Sequence, residues 1–149
     1  MKKQIGVIGA GQWGKNLVRN FHELGVLAAV AESDSALREQ LRRDFPGVSL
    51  YADYRDLWAA DLDAVAIATP VPTHAEIASA CLRAGLDVFV EKPMTLTRKE
   101  AAGLVNLAEG ADRILMVGHL LLYQPAIQFI KEFLEAGKLG RIYHLHQER

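Results

Sequence analysis

Three glycines, two glutamates and a lysine stand at spacings that permit chemistry. Gly9, Gly11 and Gly14 fall in GVIGAGQWGKN (6–16) as G-x-G-x-x-G. In a dinucleotide turn the first glycine permits the tight bend and the second admits backbone amides to the pyrophosphate. The third lets the following helix pack closely. With Lys15 the same stretch also spells G-x-x-x-x-G-K, close to a P-loop for phosphoryl transfer. A P-loop needs a Ser or Thr hydroxyl after its lysine to hold magnesium, and Asn16 stands there instead. The dinucleotide reading is therefore preferred. Gln12 and Trp13 lie inside the turn and count among its cofactor contacts, although the Trp13 ring, like that of Trp58, reads as packing rather than as a stacking platform. Glu32 ends VLAAVAE about 20 residues further on, where an acid accepts hydrogen bonds from an adenosine ribose. Asp34 is a second candidate for that role. A carboxylate here repels a 2′-phosphate, which favours NAD over NADP.

A second group lies downstream. Thr69 and Pro70 end an apolar run, and His74 follows in PVPTH. His74 reads equally as a surface histidine near a helix N-terminus or as a site residue. Glu91, Lys92 and Pro93 end another run. Lys92 reads as a surface charge paired with Glu91 or, in a partly dry crevice beside a positive nicotinamide, as a proton relay. His119 and Tyr123 follow the last run and either reach substrate or cap element ends. His144 and His146 alternate along 141–147, a stretch that reads as a strand, so they share one face. No acidic or thiol partner accompanies them, and no metal is expected. Cys81 shares a helix face with Ile77 and Ala84, which favours burial over reactivity.

These residues need a scaffold. Six nearly continuous apolar runs, 4–9, 26–32, 48–52, 63–69, 87–91 and 114–119, have strand length. Such runs suit a parallel sheet covered on both faces. Amphipathic segments alternate with them at 12–24, 34–44, 53–59, 74–84, 97–109 and 125–136. Gly25, Gly85 and Gly137 act as helix stops, and Thr97 with Glu100 forms a capping box. Alternation of this kind specifies an α/β Rossmann fold, a doubly wound parallel sheet whose ligand crevice lies beyond the carboxyl ends of its strands. That edge is where the glycine turn, Glu32, Thr69, Glu91 and His119 all fall.

Bulk properties narrow the partners. Across 149 residues, 17 Lys and Arg against 18 Asp and Glu leave a formal charge of −1, so no electrostatic footprint for nucleic acid or an anionic membrane exists. No apolar run approaches the ~18 residues that span a bilayer. The N-terminal MKKQIGVIG reads as a first strand rather than a signal peptide. The single cysteine suits a reducing cytoplasm.

GAGQWG (9–14), ATPVPTH (68–74), EKP (91–93) and VGHLLLYQP (117–125) together resemble the glucose–fructose oxidoreductase/inositol dehydrogenase (Gfo/Idh/MocA) family. WGKNLVRNF (13–21) with GHLLLYQPAI (118–127) is most similar to its branch of UDP-N-acetylglucosamine and UDP-N-acetylglucosaminuronate 3-dehydrogenases of surface-polysaccharide synthesis. The resemblance implies an NAD-dependent oxidation of a secondary hydroxyl on a sugar or nucleotide sugar. It makes Lys92 the active-site lysine that contacts the reacting hydroxyl. The three glycines would bind pyrophosphate, Glu32 the adenosine ribose, Thr69 and His74 the nicotinamide end, and Glu91 the nicotinamide riboside. His119 and Tyr123 would border substrate.

It also implies a homo-oligomer when full length and a C-terminal α+β substrate domain. On this reading residues 1–121 form the NAD-binding domain, and 122–149 form a connecting helix and the first strand of a truncated second domain. A strand that stops unpaired at the end of the chain supports the same expectation of a fragment. Rival readings are a non-catalytic NAD-binding module and an S-adenosylmethionine-dependent methyltransferase with a similar glycine loop.

Overall fold

The computed structural model describes residues 2–146. All six apolar runs form strands, each inside its expected range: β1 (Ile5–Ile8), β2 (Leu27–Ala31), β3 (Ser49–Tyr51), β4 (Ala64–Ile67), β5 (Asp87–Val90) and β6 (Leu115–Val117). They pair in parallel in the order β3-β2-β1-β4-β5-β6. Strand order reverses between β1 and β4, and that switch point opens a crevice at their carboxyl ends.

Side chains alternate across each strand, so β1 sends Val7 to one face and Ile8 to the other. Val7, Val30 and Ala66 pack with Val18 of α1 (Gly14–Glu23) and Leu41 of α2 (Ser35–Asp44). Ile8, Val65, Ile67 and Val88 pack with Ile77, Cys81 and Leu82 of α3 (His74–Arg83) and Leu104 of α4 (Arg98–Ala111). Each fully buried Val, Leu or Ile contributes roughly 1.5–3 kcal/mol, which explains why the strands are apolar on both sides. Cys81 is fully buried as expected, and burial pushes its thiol up to about 12. Ala84, expected on the same face, is exposed.

Local signals set most helix ends. The Thr97–Glu100 capping box forms, and Asp34 caps α2 by accepting the Leu37 N–H at 3.0 Å. The amphipathic run 97–109 extends through Gly110 and ends only where Asp112 adopts φ 52°. The segment 53–59 winds into a 3-10 turn, Tyr54–Ala59, that inserts Leu57 into the core.

The chain divides into two compact units, one through Gly118 and one from His119. The expected boundary lay after residue 121. The second unit holds a 3-10 turn, Leu120–Tyr123, and α5 (Pro125–Glu135), with Pro125 in the first turn where its missing N–H costs nothing. No strand forms over 141–146, and residue 147 lies outside the described residues. His144 and His146 instead stack, with ring centroids 6.4 Å apart. No helix among the described residues is long and apolar enough to cross a membrane.

Candidate functional site

β1 ends at Ile8, and Gly9 turns the chain with φ +85° while donating its N–H to Ala31 at the end of β2. A Cβ at Gly9 would press on Thr69 and the Ala68 carbonyl at 3.0–3.1 Å. At Gly14, the first residue of α1, a Cβ would collide with the Gly9 carbonyl oxygen. A Cβ at Gly11 would meet nothing within 4 Å, so this backbone faces open space. No side chain caps α1, whereas Asp34 caps α2 and Thr97 caps α4. The Lys15 and Asn16 amides bond backwards to the Gly11 and Trp13 carbonyls, so it is the positive end of the helix dipole that suits an anionic phosphate.

Glu32 follows β2, and its carboxylate is pinned on both sides. Oε2 accepts the Ala10 N–H at 2.7 Å and Oε1 the Asp34 N–H at 3.0 Å. Asp34 Oδ1 caps α2 by accepting the Leu37 N–H. A cavity of about 510 Å3 joins Gly9, Gly11, Glu32, Thr69 and Pro70. Ser33, Asp53, Tyr54, Arg55 and Thr73, residues that sequence reasoning missed, supply the other polar side chains of its wall. Arg55 ties this wall together, bonding Asp53 at 3.0 Å and Glu76 at 3.2 Å while its guanidinium lies 4.7 Å from the Tyr54 ring centre. The Arg55 N–H holds the Asp53 carboxyl below its ordinary range, and burial, with a hydrogen bond to Glu76, raises the Tyr54 phenol. The only available hint was an aromatic–arginine pair directly after β3. Gln12 lines a different hollow of about 540 Å3, between α1 and α2, with Lys15, Asn16 and Arg19.

β4 leads to Thr69 and Pro70, and α3 begins at His74. His74 is fully buried, which corrects its reading as a surface histidine. Its Nε2 lies 2.8 Å from the Thr69 carbonyl and its Nδ1 3.0 Å from the Pro93 carbonyl. A neutral imidazole carries one N–H, and the tautomer decides which carbonyl receives it. With its ring nitrogens against these two carbonyls, His74 packs between the loop after β4 and the loop after β5, which contains Lys92. It reaches the crevice only through the backbone it holds.

Glu91 is 7% exposed, whereas Lys92 is exposed and the two side chains form no ion pair. The partly dry surroundings expected for Lys92 are not formed by this chain. Glu91 instead accepts the Trp13 indole N–H at 2.6 Å. Trp13 and Trp58 are 47% and 41% exposed, so neither is the packing residue its size suggested; Trp58 meets Tyr54 edge-on. The Lys92–Pro93 peptide is cis. His119 and Tyr123 belong to the second unit, and both are exposed. Among the described residues no group of three or more His, Cys, Asp or Glu could hold a metal.

The open backbone at Gly11 and the fixed Glu32 carboxylate around one cavity, with the N-terminus of α1 following the turn, fit the pyrophosphate and adenosine ribose of a dinucleotide. The chain is 34% identical to a UDP-N-acetylglucosamine 3-dehydrogenase of Acidithiobacillus ferrooxidans over 92% of its length and 45% of that protein's. It is 30% identical to an inositol 2-dehydrogenase of Saccharopolyspora erythraea, covering 98% of this chain and 44% of the other. Among solved structures it resembles the WlbA dehydrogenase of Chromobacterium violaceum in complex with NADH and UDP-GlcNAcA. There the TM-score is 0.88 at 25% identity, covering 95% of this chain and 42% of that one. The chain thus spans less than half the length of these relatives. Residues 3–119 match the family model GFO_IDH_MocA, described as an oxidoreductase family with an NAD-binding Rossmann fold. A parallel sheet in this strand order, a glycine turn against a fixed acid and this match over most of the chain have one common meaning: the chain belongs to the Gfo/Idh/MocA oxidoreductase family and carries its NAD-binding Rossmann domain.

Proposed function

We propose that this chain is the cofactor-binding half of an NAD-dependent dehydrogenase that oxidises a secondary hydroxyl, at C3, of a sugar or nucleotide sugar. One observation carries the reading. The strand ends that line the cofactor cavity lie beside the end of β5, where Glu91 is buried and Lys92 is exposed at the same sheet edge. The similarity to a UDP-N-acetylglucosamine 3-dehydrogenase supports the substrate class.

On this reading the glycine turn and α1 hold the pyrophosphate, and Glu32 accepts from the adenosine ribose hydroxyls. Thr69 and Pro70 border the nicotinamide end, braced from behind by His74. Bound NAD supplies the hydride acceptor. Lys92 Nζ contacts the substrate hydroxyl and takes its proton as the carbonyl forms, and His119 and Tyr123 border the sugar. Water exclusion and sugar orientation come from walls outside this chain. The chain alone therefore binds cofactor with little turnover, because catalysis depends on orienting both reactants. The full-length protein works as a cytoplasmic homo-oligomer.

Lys92→Ala in the full-length protein, assayed with an active sugar, lowers kcat by about 10²–10⁴-fold while NAD affinity stays within about threefold. Unchanged turnover removes Lys92 from the chemistry. Calorimetric titration of this chain then ranks NAD above NADP and S-adenosylmethionine; the reverse ranking overturns the cofactor choice.

A further inference from the structure

The bond between Trp13 and Glu91 joins two parts of the sheet edge that a dinucleotide would contact separately. Trp13 belongs to the glycine turn after β1, and Glu91 to the end of β5. The indole Nε1–H donates to Glu91 Oε1 at 2.6 Å, a short charge-assisted contact. An indole N–H is a donor only, so it fixes the carboxylate in one orientation. The other oxygen, Oε2, receives only a long contact from the Lys92 N–H, at 3.3 Å, and so keeps lone-pair capacity for a further donor. The slot for this carboxylate is tight. A Cβ at Gly118, just beyond β6, would lie 3.1 Å from Oε2 and 3.0 Å from the Phe89 ring. Glycine at 118 therefore leaves room for the carboxylate that Trp13 aims.

The tryptophan is also out of place as a packing residue. It is 47% exposed, and its polar edge is committed to Glu91. Exposing much of a large aromatic ring forgoes burial energy, and nothing in the core of the fold requires it here.

We propose that Trp13 is a positioning residue for the nicotinamide half of NAD. It holds Glu91 so that Oε2 accepts a nicotinamide-ribose hydroxyl, and thereby couples the pyrophosphate turn to the reacting end of the cofactor. This inference rests on the reading that Glu91 lies against the nicotinamide riboside.

Calorimetric titration of this chain with NAD and with ADP tests it, since ADP occupies only the adenosine half. Trp13→Phe weakens NAD about tenfold, the loss of one hydrogen bond to a charged group, and leaves ADP within about twofold. In a Glu91→Ala background, Trp13→Phe costs less than about twofold more, because the two residues act as a unit. An equal loss for ADP and NAD would make Trp13 merely part of the glycine turn and overturn the proposal. So would a full tenfold loss in the Glu91→Ala background. If wild-type chain binds NAD no more tightly than ADP, the nicotinamide reading itself fails. The Trp13–Glu91 link is then judged by fluorescence of a Trp58→Phe variant, in which Trp13 is the sole emitter. Glu91→Ala shifts that emission without any ligand if the link holds in solution, and an unshifted spectrum overturns it.

Discussion

The Glu32 carboxylate accepts the Ala10 N–H at 2.7 Å across 22 residues of chain, locking the end of β2 to the glycine turn after β1. With Oε1 held by the Asp34 N–H, the carboxylate has its position fixed before any ligand arrives. Such preorganisation reduces the ordering cost of binding.

Glu32→Ala is therefore expected to weaken NAD binding about 10–100-fold, from the loss of hydrogen bonds to a charged group worth ~1.5–3 kcal/mol. NADP binding falls less, because the repulsion of its 2′-phosphate is removed with the carboxylate. Parallel titrations with the two cofactors measure both effects. NAD affinity within twofold of wild type would remove Glu32 from the site.

Gly11 and Gly14 are separable by substitution. Gly11→Ala meets open space, so the folded chain keeps its stability while the new methyl obstructs the backbone approach to pyrophosphate. Gly14→Ala collides with the Gly9 carbonyl oxygen and costs about 1–3 kcal/mol of stability as well as binding. Urea unfolding beside NAD titration distinguishes the two, and equal stability losses would contradict the assignment.

His74→Leu removes a fully buried ring and leaves the Thr69 and Pro93 carbonyls without their shared partner. A loss of about 0.5–1.5 kcal/mol follows from the one hydrogen bond the imidazole N–H gave to a partly buried carbonyl. Hydrogen exchange should quicken in the loops after β4 and β5 more than in the strands. Uniform quickening would show that His74 supports the core at large rather than the crevice.

Asp63 lies below its ordinary value of 3.8, first because it accepts from the Lys3 ammonium and next from the Gln4 N–H. The folded value is thus lower than the unfolded one, and the unfolded chain binds more protons in that range. The stabilisation is complete above the ordinary value and disappears as pH falls through the folded value. Asp63→Asn should lower the midpoint of thermal unfolding at neutral pH, by an amount that shrinks as pH falls through the folded value of Asp63. A gap that persists at low pH would assign the effect to packing.

Much of this molecule is legible in its residues. Six apolar runs became six strands because both sheet faces are covered, which leaves no polar alternation to confuse the pattern. The capping box at Thr97 and Glu100 depends on neighbours three residues apart and so is visible locally. Asp34 had the same kind of signal, since an aspartate just before a helical pattern is a cap. The C-terminal alternation misled because alternation alone does not make a strand, and residues 141–146 form none among the described residues.

The sequence by itself determined the dinucleotide turn, the acid after β2 and the family, since all three depend on residue type and short spacing. The tertiary structure alone decided which of these residues touch. Trp13 meets Glu91 across 78 residues, and His74 bridges the loops after β4 and β5. Those contacts follow from strand order, which puts β1 beside β4 and β4 beside β5, and the distance between two side chains at a sheet edge depends on that order rather than on their separation along the chain.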